Sequence, residues 1–323
     1  MKKPIEFRSL VSRLRMRHFE FLHRLSLELN LGRVARQMNM TQPTASKLLH
    51  EIETVLGCPL FVRNRRGMSP TVEGQVVARR ASVLLADLRA THDELISVQH
   101  GSVGRVRIGV FPVAVAQLLP ALIARLDERW PGICVALEEG DERSLSLALS
   151  EGRLDCALGR VVPAALTPDL AYLVLYNEPS VVIASADRPI AKASKRQMHE
   201  QLSQYPWLMP YTGSASFNML SAQLANLGLQ APRVVVESIS VFVTLEMLKH
   251  QHLLSVLPKS VAQGYAAEGK VVMLPIELPS TTYPVGVIYR KDQEGSELLT
   301  ELLANAQQVA TATKRDRSRG LMI

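Results

Sequence analysis

The sequence is poor in cysteine and has no long apolar segment. Only three cysteines, Cys58, Cys134 and Cys156, occur among its 323 residues, and they are widely separated. An odd number at such spacing argues against a disulfide framework or a zinc site and favours a reducing compartment. No stretch reaches the roughly 18 consecutive apolar residues of a membrane-spanning helix, and residues 1–19 lack the apolar core of a signal peptide. We therefore expect a cytoplasmic protein without a membrane partner.

The motifs that mark common enzyme classes are missing as well. Neither GxGxxG nor GxxxxGK[ST] occurs, so no phosphate-binding loop supports nucleotide chemistry, and the GxSxG pattern of serine hydrolases is absent. His250 and His252 have the spacing of metal ligands but lack a third ligand nearby. The acidic cluster at 138–142 is typical of a solvated loop rather than of a catalytic pair. These absences predict a protein that is not an enzyme and that has no metal site or cofactor.

Positive charge is concentrated in the first quarter of the chain. Residues 1–80 contain 15 Lys and Arg against 6 Asp and Glu, a net charge of +9, whereas the remainder has 22 against 24, a net charge of −2. This asymmetry indicates a polyanion-binding domain joined to a part that does not bind polyanions. The alternative is a solvated basic surface without a partner.

Three segments near the N-terminus predict a helix-turn-helix. Apolar periodicity predicts helices over 16–29 and 31–38. A third helix is predicted over 41–55, with Pro43 in its first turn, where a missing N–H is harmless, and with Gly57 as its end. Two short helices joined by a tight turn form the arrangement whose second helix enters the major groove of DNA.

The outward face at the start of the third helix is rich in hydrogen-bonding side chains. Gln42 suits bidentate pairing with adenine, and Thr44 suits hydrogen bonds or contact with a thymine methyl group. The alternative is that these side chains are only solvated and that Thr41 only caps the helix. Residues 60–71 then predict a hairpin wing whose arginines lie along the DNA backbone or enter a minor groove. The candidate DNA contacts are Arg33, Thr41, Gln42, Pro43, Thr44, Ser46, Lys47, His50, Arg63, Arg65 and Arg66.

Several short motifs follow one another in order through this region. They are Ala35 in the second helix, Thr41–Ser46 and Glu53 in the third, and then Leu56–Phe61, Arg63 and Arg66–Gly74. In this order they resemble the LysR-type transcriptional regulators, and within that family the regulators of sugar or aromatic-acid uptake and breakdown. The sequence departs from the family at Met68 and Pro70, where Val and Leu are more usual, and in the longer segment before Met16. These departures do not affect the groove-facing positions.

Residues 72–100 contain no proline and predict one long helix. Its apolar residues follow steps of four and three, the heptad spacing of a coiled coil. This seam consists of Val77, Ala81, Leu84, Leu88, Thr91, Leu95 and Val98. A helix packed on its own domain is the alternative, but we favour dimerisation because a two-fold protein reads paired half-sites on DNA. The resemblance implies the same, commonly as a dimer of dimers.

The rest of the chain alternates between short apolar strands and helices. The predicted strands are 105–111, 134–140, 155–161, 180–186, 206–211, 233–238, 253–258 and 285–290. Strands and helices in alternation predict a parallel sheet covered by helices over the first three strands, and the remaining strands indicate a second α/β unit. The resemblance implies that the final strand and helix return to the first unit, which gives two lobes around a cleft, as in periplasmic binding proteins.

The expected fold class is therefore a multidomain α+β protein. Its parts are a winged helix-turn-helix domain at 1–72, a linker helix at 73–101, an effector-binding domain at 102–310 and a basic tail at 311–323. Within the effector-binding domain, lobe 1 comprises about 102–177 and 277–310, and lobe 2 about 178–276.

Ligands of such sheets bind outside the C-terminal ends of the strands, and helix starts offer N–H groups and hydroxyls. The candidate effector contacts are Phe111, Pro112, Val113, Arg160, Thr212, Ser214, Ser216, Ser238 and Ser240. Plain N-capping is the alternative for the hydroxyl residues. Arg160 suits a bidentate pair with a carboxylate, or it lies on a surface. The resemblance implies that an effector held between the lobes alters their relative position and the bend of the DNA.

The sequence thus predicts a transcriptional regulator that binds specific DNA sequences and responds to a small-molecule effector. Its expected partners are double-stranded DNA, the effector, a second copy of the chain in a dimer or tetramer, and RNA polymerase. One alternative is an α/β enzyme with an N-terminal DNA-binding regulatory domain, which turnover with a nucleotide or an acyl donor would identify. The other is a solute-binding module with an unrelated basic domain, which would give no sequence-selective gel shift.

Overall fold

The structure is a computed structural model that describes residues 7–64, 67–99, 104–187, 190, 202, 204–228, 232–276, 278 and 283–318. The chain forms two compact units, and the first gives way to the second between residues 101 and 102. Among the helices of the described ranges, none combines the length and hydropathy that a membrane crossing needs.

The first unit contains five helices and a hairpin among its described residues. In chain order they are α1 (Phe7–Arg13), α2 (Met16–Glu28), α3 (Leu31–Gln37), α4 (Gln42–Leu56), β1 (Phe61–Asn64), β2 (Gly67–Pro70) and α5 (Val72–Gln99). The three helices predicted by periodicity are present as α2, α3 and α4. The side chain of Asn30 accepts a hydrogen bond from the Arg33 N–H at 3.0 Å, and Gly57 ends α4 with a φ of 69°. Helix α1 lies in the segment before Met16 and was not predicted.

The predicted wing is the antiparallel pair β1–β2. Its register sets Phe61 opposite Pro70 and Asn64 opposite Gly67, so two residues separate the strands in sequence. Those two residues, Arg65 and Arg66, lie outside the described residues. The Met68 N–H donates to the Leu29 carbonyl oxygen at 3.0 Å, which ties the hairpin to the end of α2.

The second unit alternates between strands and helices. In chain order they are β3 (Arg105–Val110), α6 (Pro112–Gln117), α7 (Leu119–Arg129), β4 (Cys134–Glu139), α8 (Glu142–Ser150), β5 (Cys156–Arg160), β6 (Leu170–Glu178), β7 (Ser180–Ser185), β8 (Trp207–Met209), α9 (Ala215–Asn226), β9 (Val234–Glu237), α10 (Val241–His250), β10 (Leu254–Pro258), α11 (Lys259–Ala267), β11 (Val271–Met273), β12 (Tyr283–Arg290) and α12 (Glu297–Ser318).

Two five-stranded sheets define the two lobes of this unit. Lobe 1 has the strand order β4-β3-β5-β12-β6, and lobe 2 has the order β11-β7-β10-β8-β9. Strands β4, β3 and β5 are parallel, as predicted, whereas β12 is antiparallel to both β5 and β6. The return of β12 to lobe 1 confirms the crossing that the resemblance implied. The chain first passes between the sheets at Pro179, which separates β6 from β7.

Strand β6 was not predicted, and the last helix is longer than predicted. Its first seven residues, Leu170–Tyr176, are all apolar, yet β6 is an edge strand, and four of its first five residues are exposed or half-buried. Helix α12 continues to Ser318, so residues 311–318, assigned to a basic tail, are helical. The range 297–318 contains neither glycine nor proline, and Leu302 and Ala306 of this helix are buried in the lobe 1 core.

Candidate DNA-binding and effector-binding sites

One face of α4 lies in the core of the first unit and the other is exposed. Ala45 is fully buried, whereas Gln42, Thr44, Lys47 and His50 are exposed on the outward side. The buried positions also include Leu49 and Ile52, in the spacing expected of an amphipathic helix. The polar side chains that suit base edges are therefore presented together at the start of α4.

Two hydroxyl side chains at the start of α4 have structural partners: Thr41 caps the helix, and Ser46 contacts the wing. The Thr41 side chain accepts from the Thr44 N–H at 3.4 Å and lies 2.8 Å from the Thr44 hydroxyl, which makes Thr41 the N-cap. From the wing, the Arg63 Nη2 atom donates to the Ser46 hydroxyl at 3.3 Å. Arg33 lies 3.6 Å from the Glu28 carboxylate, and its side chain is 62% exposed. The arginine of the wing and the start of α4 thus form one continuous surface.

Glu53 fixes the wing to α4, a role that was not predicted from the sequence. One of its carboxylate oxygens accepts from the Leu60 N–H at 2.7 Å and from the Phe61 N–H at 3.3 Å. The Thr71 hydroxyl donates to the Pro59 carbonyl oxygen at 2.8 Å and accepts from the Gly74 N–H at the start of α5. A glutamate seven residues before an apolar pair is not a pattern that predicts a contact. Only the structure shows that Glu53 holds the wing.

The predicted seam of α5 divides into a covered part and an exposed part. Ala81 is fully buried in the core of the first unit, and Val77 packs against that core. Further along, Leu84, Leu88 and Leu95 are 42%, 54% and 60% exposed. Thr91 is also exposed, and the side chain of Val98 lies outside the described residues. The start of the seam, at Val77 and Ala81, therefore packs on the chain's own domain, as the alternative interpretation predicts.

A cavity lies between the two lobes of the second unit. It is lined by Phe111, Pro112 and Val113 after β3, by Arg160 at the end of β5, and by Ser216 and Ser238 of lobe 2. Its volume is about 90 Å³, smaller than the ~150 Å³ that accommodates benzene in a protein core. Six of the candidate effector contacts are therefore brought together in one place.

Arg160 is the central polar residue of this cavity. Its guanidinium carbon lies 3.5 Å from the centroid of the Tyr283 ring, and its Nη1 atom donates to the Ser216 hydroxyl at 2.9 Å. The Ser216 hydroxyl in turn donates to the Glu142 carboxylate. Burial lowers the pKa of Arg160, and the neighbouring Tyr283 and Glu142 act in the opposite direction. The three side chains Arg160, Ser216 and Glu142 therefore form a chain of hydrogen bonds from lobe 1 to lobe 2 and back.

Three other candidate effector contacts lie outside the cavity lining. The Thr212 hydroxyl donates to the Glu237 carboxylate. Ser214 caps α9 by accepting from the Phe217 N–H at 3.1 Å, and Ser240 caps α10. Ser214 and Ser240 are therefore N-caps, as the alternative interpretation predicts.

The cavity also contains residues that were not among the predicted contacts. They include Glu142, Thr244 and the end of β10 from Ser255 to Pro258. The rule that ligands lie beyond strand ends could have indicated the end of β10, whereas Glu142 was assigned to a solvated loop. Among the described residues, no group of three or more His, Cys, Asp or Glu side chains is placed to hold a metal ion.

Comparison with known proteins gives matches over nearly the whole chain. Residues 16–75 match the family model for bacterial regulatory helix-turn-helix proteins of the lysR family, and residues 99–311 match the LysR substrate binding domain. The regulator GbpR of Azospirillum brasilense is 27% identical over 96% of this chain and 90% of its own length. The regulator GalR of Pseudomonas putida is 30% identical over 86% of this chain and 70% of its own length.

Solved structures show the same fold. The crystal structure of CbnR, a LysR family transcriptional regulator, superposes with a TM-score of 0.58 at 18% identity and covers 92% of this chain and 99% of its own. A Corynebacterium glutamicum OxyR structure superposes with a TM-score of 0.54 at 19% identity and covers 96% of each chain. The curated relatives are named as transcriptional regulators and not as enzymes, which confirms the expected functional class. The chain belongs to the LysR family of DNA-binding transcriptional regulators, which carry a helix-turn-helix domain and an effector-binding domain.

Proposed function

We propose that this regulator reads its operator with the exposed start of α4 and holds the DNA backbone with the wing. The observation that carries the proposal is the cluster of outward polar side chains, Gln42, Thr44, Lys47 and His50, opposite a fully buried helix face. Gln42 and Thr44 have the chemistry to read base edges, and Lys47 and His50 suit guanine or phosphate. The solved CbnR complex with its target DNA is one structure of this fold bound to DNA.

Phosphate and base contacts have different consequences for binding. Lysine and arginine that neutralise phosphates supply affinity for any duplex, and this affinity falls as salt rises. Side chains at base edges supply the difference between the operator and random DNA. Arg63 belongs to the first group because it is exposed on the wing beside Ser46. Gln42 belongs to the second group.

The test compares Gln42→Ala with Arg63→Ala in the full chain. Gln42→Ala should weaken operator binding by about 1–3 kcal/mol and leave binding to random duplex unchanged. Arg63→Ala should weaken both and reduce the slope of log affinity against log salt by about 0.9. Arg105→Ala, an exposed arginine in β3 of the second unit, is the matched control. An equal operator-to-random ratio for Gln42→Ala and Arg63→Ala would refute the division of roles.

We also propose that the cavity around Arg160 is the effector site. Both lobes contribute polar side chains to it, so a bound molecule changes the contacts between the lobes. Because the cavity is small, an effector of more than a few carbon atoms requires the lobes to separate. Binding stabilises the folded chain by about 2.7 kcal/mol when the ligand exceeds its Kd a hundredfold. A metabolite screen by thermal shift, followed by operator binding with each hit, tests whether one compound does both.

Self-association follows from the apolar surface that α5 leaves exposed. Leu84, Leu88 and Leu95 repeat at steps of four and seven residues on a helix of 28 residues. Such a seam is stabilised when a second helix covers it. We propose that two copies pair through α5, and that the resulting dimer or tetramer acts in the cytoplasm, where it contacts RNA polymerase at the promoter. Sedimentation of the purified chain tests the pairing.

A further inference from the structure

The positive charge of Arg160 already has a partner within the protein. Arg160 and the Glu142 carboxylate both contact the hydroxyl oxygen of Ser216. Two groups that hydrogen bond to one oxygen lie within about 6 Å of each other. Of the described side chains that line the cavity, those with a formal charge are Arg160, Glu142 and Asp141. The lining therefore has a net charge of −1, although it contains an arginine.

Three of the five hydroxyl groups that line the cavity present oxygen lone pairs to a ligand, whereas the Ser238 hydroxyl accepts from the Ser240 N–H at 3.1 Å and keeps its proton. The Thr244 hydroxyl donates its proton to the Ser240 carbonyl oxygen at 3.0 Å, and the Ser255 hydroxyl donates to the Leu208 carbonyl oxygen at 2.9 Å. The proton of the Ser216 hydroxyl is directed at Glu142. Carbonyl and carboxylate oxygens cannot donate, so these directions are fixed by chemistry. Each hydroxyl oxygen can still accept a hydrogen bond.

A carboxylate ligand is therefore poorly matched to this cavity. It has no proton to donate to the oxygens of Ser216, Thr244 and Ser255, and it would stand beside Glu142 when it pairs with Arg160. A like charge within about 4–6 Å opposes the charged form of a neighbour. A ligand with several hydroxyl groups donates to these oxygens and accepts from Arg160 without adding charge.

We propose that Glu142 is the internal counter-ion of Arg160 and that the cavity selects an uncharged polyol, such as a small sugar, over a carboxylate. This inference rests on the proposed function in taking the cavity as the effector site. It assigns Glu142 as the residue that determines specificity, since removal of its charge leaves Arg160 available to an anion.

The experiment measures thermal shifts of the full chain with matched pairs of compounds. The polyols are glycerol, erythritol and D-threitol, and their acid counterparts are glycerate, D-erythronate and D-threonate, each compared with an equal ionic strength of sodium chloride. For the unaltered chain we expect stabilisation by at least one polyol and by none of the acids. Stabilisation by an acid but by no polyol would overturn the inference.

Substitution at Glu142 gives a second, independent readout. Glu142→Gln keeps the side-chain shape and an oxygen that accepts from Ser216, and it should tighten binding of an acid by about tenfold or more. Glu139→Gln is the matched control, because it removes one carboxylate from the exposed β4 edge outside the cavity lining. The gain should disappear in the double variant Glu142→Gln with Arg160→Gln. A Glu142→Gln chain that folds and binds the acids no better than Glu139→Gln would refute the role of Glu142.

The outcomes separate this inference from the proposed function. Binding of an acid to the unaltered chain, lost in Arg160→Gln, would retain the cavity as the effector site and refute the selection of polyols. If neither class stabilises the unaltered chain, both the effector role of the cavity and the inference fail. The selectivity of the unaltered chain decides the question even where a variant does not fold. DNA binding in gel shifts is measured separately and depends on none of these results.

Discussion

Loss of the Glu53 carboxylate should release the wing from α4. The Leu60 N–H, at 2.7 Å from this carboxylate, and the Phe61 N–H, at 3.3 Å, belong to buried residues, so water does not readily replace the lost acceptor. A hydrogen bond to a charged group contributes about 1.5–3 kcal/mol, and the second bond is long. We therefore expect Glu53→Ala to destabilise the attachment of the wing by about 2–4 kcal/mol.

The assay must report on the wing itself. Both tryptophans, Trp130 and Trp207, belong to the second unit, so their fluorescence does not follow it. Hydrogen exchange of the amides at residues 60 and 61 in the full chain is suitable, because a factor of ten in opening corresponds to about 1.4 kcal/mol. Glu53→Ala should accelerate exchange there by about 30-fold or more.

Two variants define the comparison. Glu53→Gln retains an oxygen acceptor and should accelerate exchange less than Glu53→Ala. Glu51→Ala removes an exposed carboxylate from the same helix and should leave these amides unchanged. If Glu53→Ala and Glu51→Ala show equal exchange at residues 60 and 61, the reasoning is refuted. Because Arg63 lies on the freed strand, DNA affinity should also fall for operator and random duplex alike.

Three further predictions concern packing, assembly and pH. A Cβ atom at Gly74 would lie 1.9 Å from the Leu60 carbonyl oxygen, so Gly74→Ala should destabilise the first unit by about 1–3 kcal/mol or more in denaturation followed by circular dichroism. A Cβ atom at Gly264 would meet no described atom within 4 Å, so Gly264→Ala should be neutral or stabilising by up to about 1 kcal/mol; equal losses would contradict the packing argument. Leu88→Glu should shift sedimentation towards the monomer, whereas Leu88→Met should not, and an unchanged Leu88→Glu would remove α5 as the pairing surface. In the folded chain, burial lowers the pKa of His18 below its ordinary value of 6.5. The unfolded chain therefore binds the proton more readily, and the stability of the fold should decrease as the pH falls from 6.5 towards the pKa of the folded state. His18→Gln should flatten this dependence, and an unaltered slope in that variant would show that other groups cause it.

The helices of the DNA-binding unit could be predicted from the sequence because their signals are local. The apolar spacing within α4, the Thr41 cap and the Gly57 stop lie within one helix length of each other. All three parallel strands of lobe 1, β3, β4 and β5, were predicted for the same reason, since each is a short apolar run next to a helix. The exposure of Gln42 and Thr44 followed directly from the burial of Ala45 on the opposite face.

What the sequence by itself determined is therefore the type and order of most elements and the face that each one buries. Only the tertiary structure decided which elements meet. Ser216 reaches Arg160 across 56 residues of sequence and Glu142 across 74, and no periodic pattern encodes a pairing over such distances. In α5, one continuous heptad pattern marks both Ala81 and Leu88, yet α2 and its neighbours cover only the first. An apolar stripe specifies that a surface must be buried, whereas the partner that buries it depends on the packing of the whole unit.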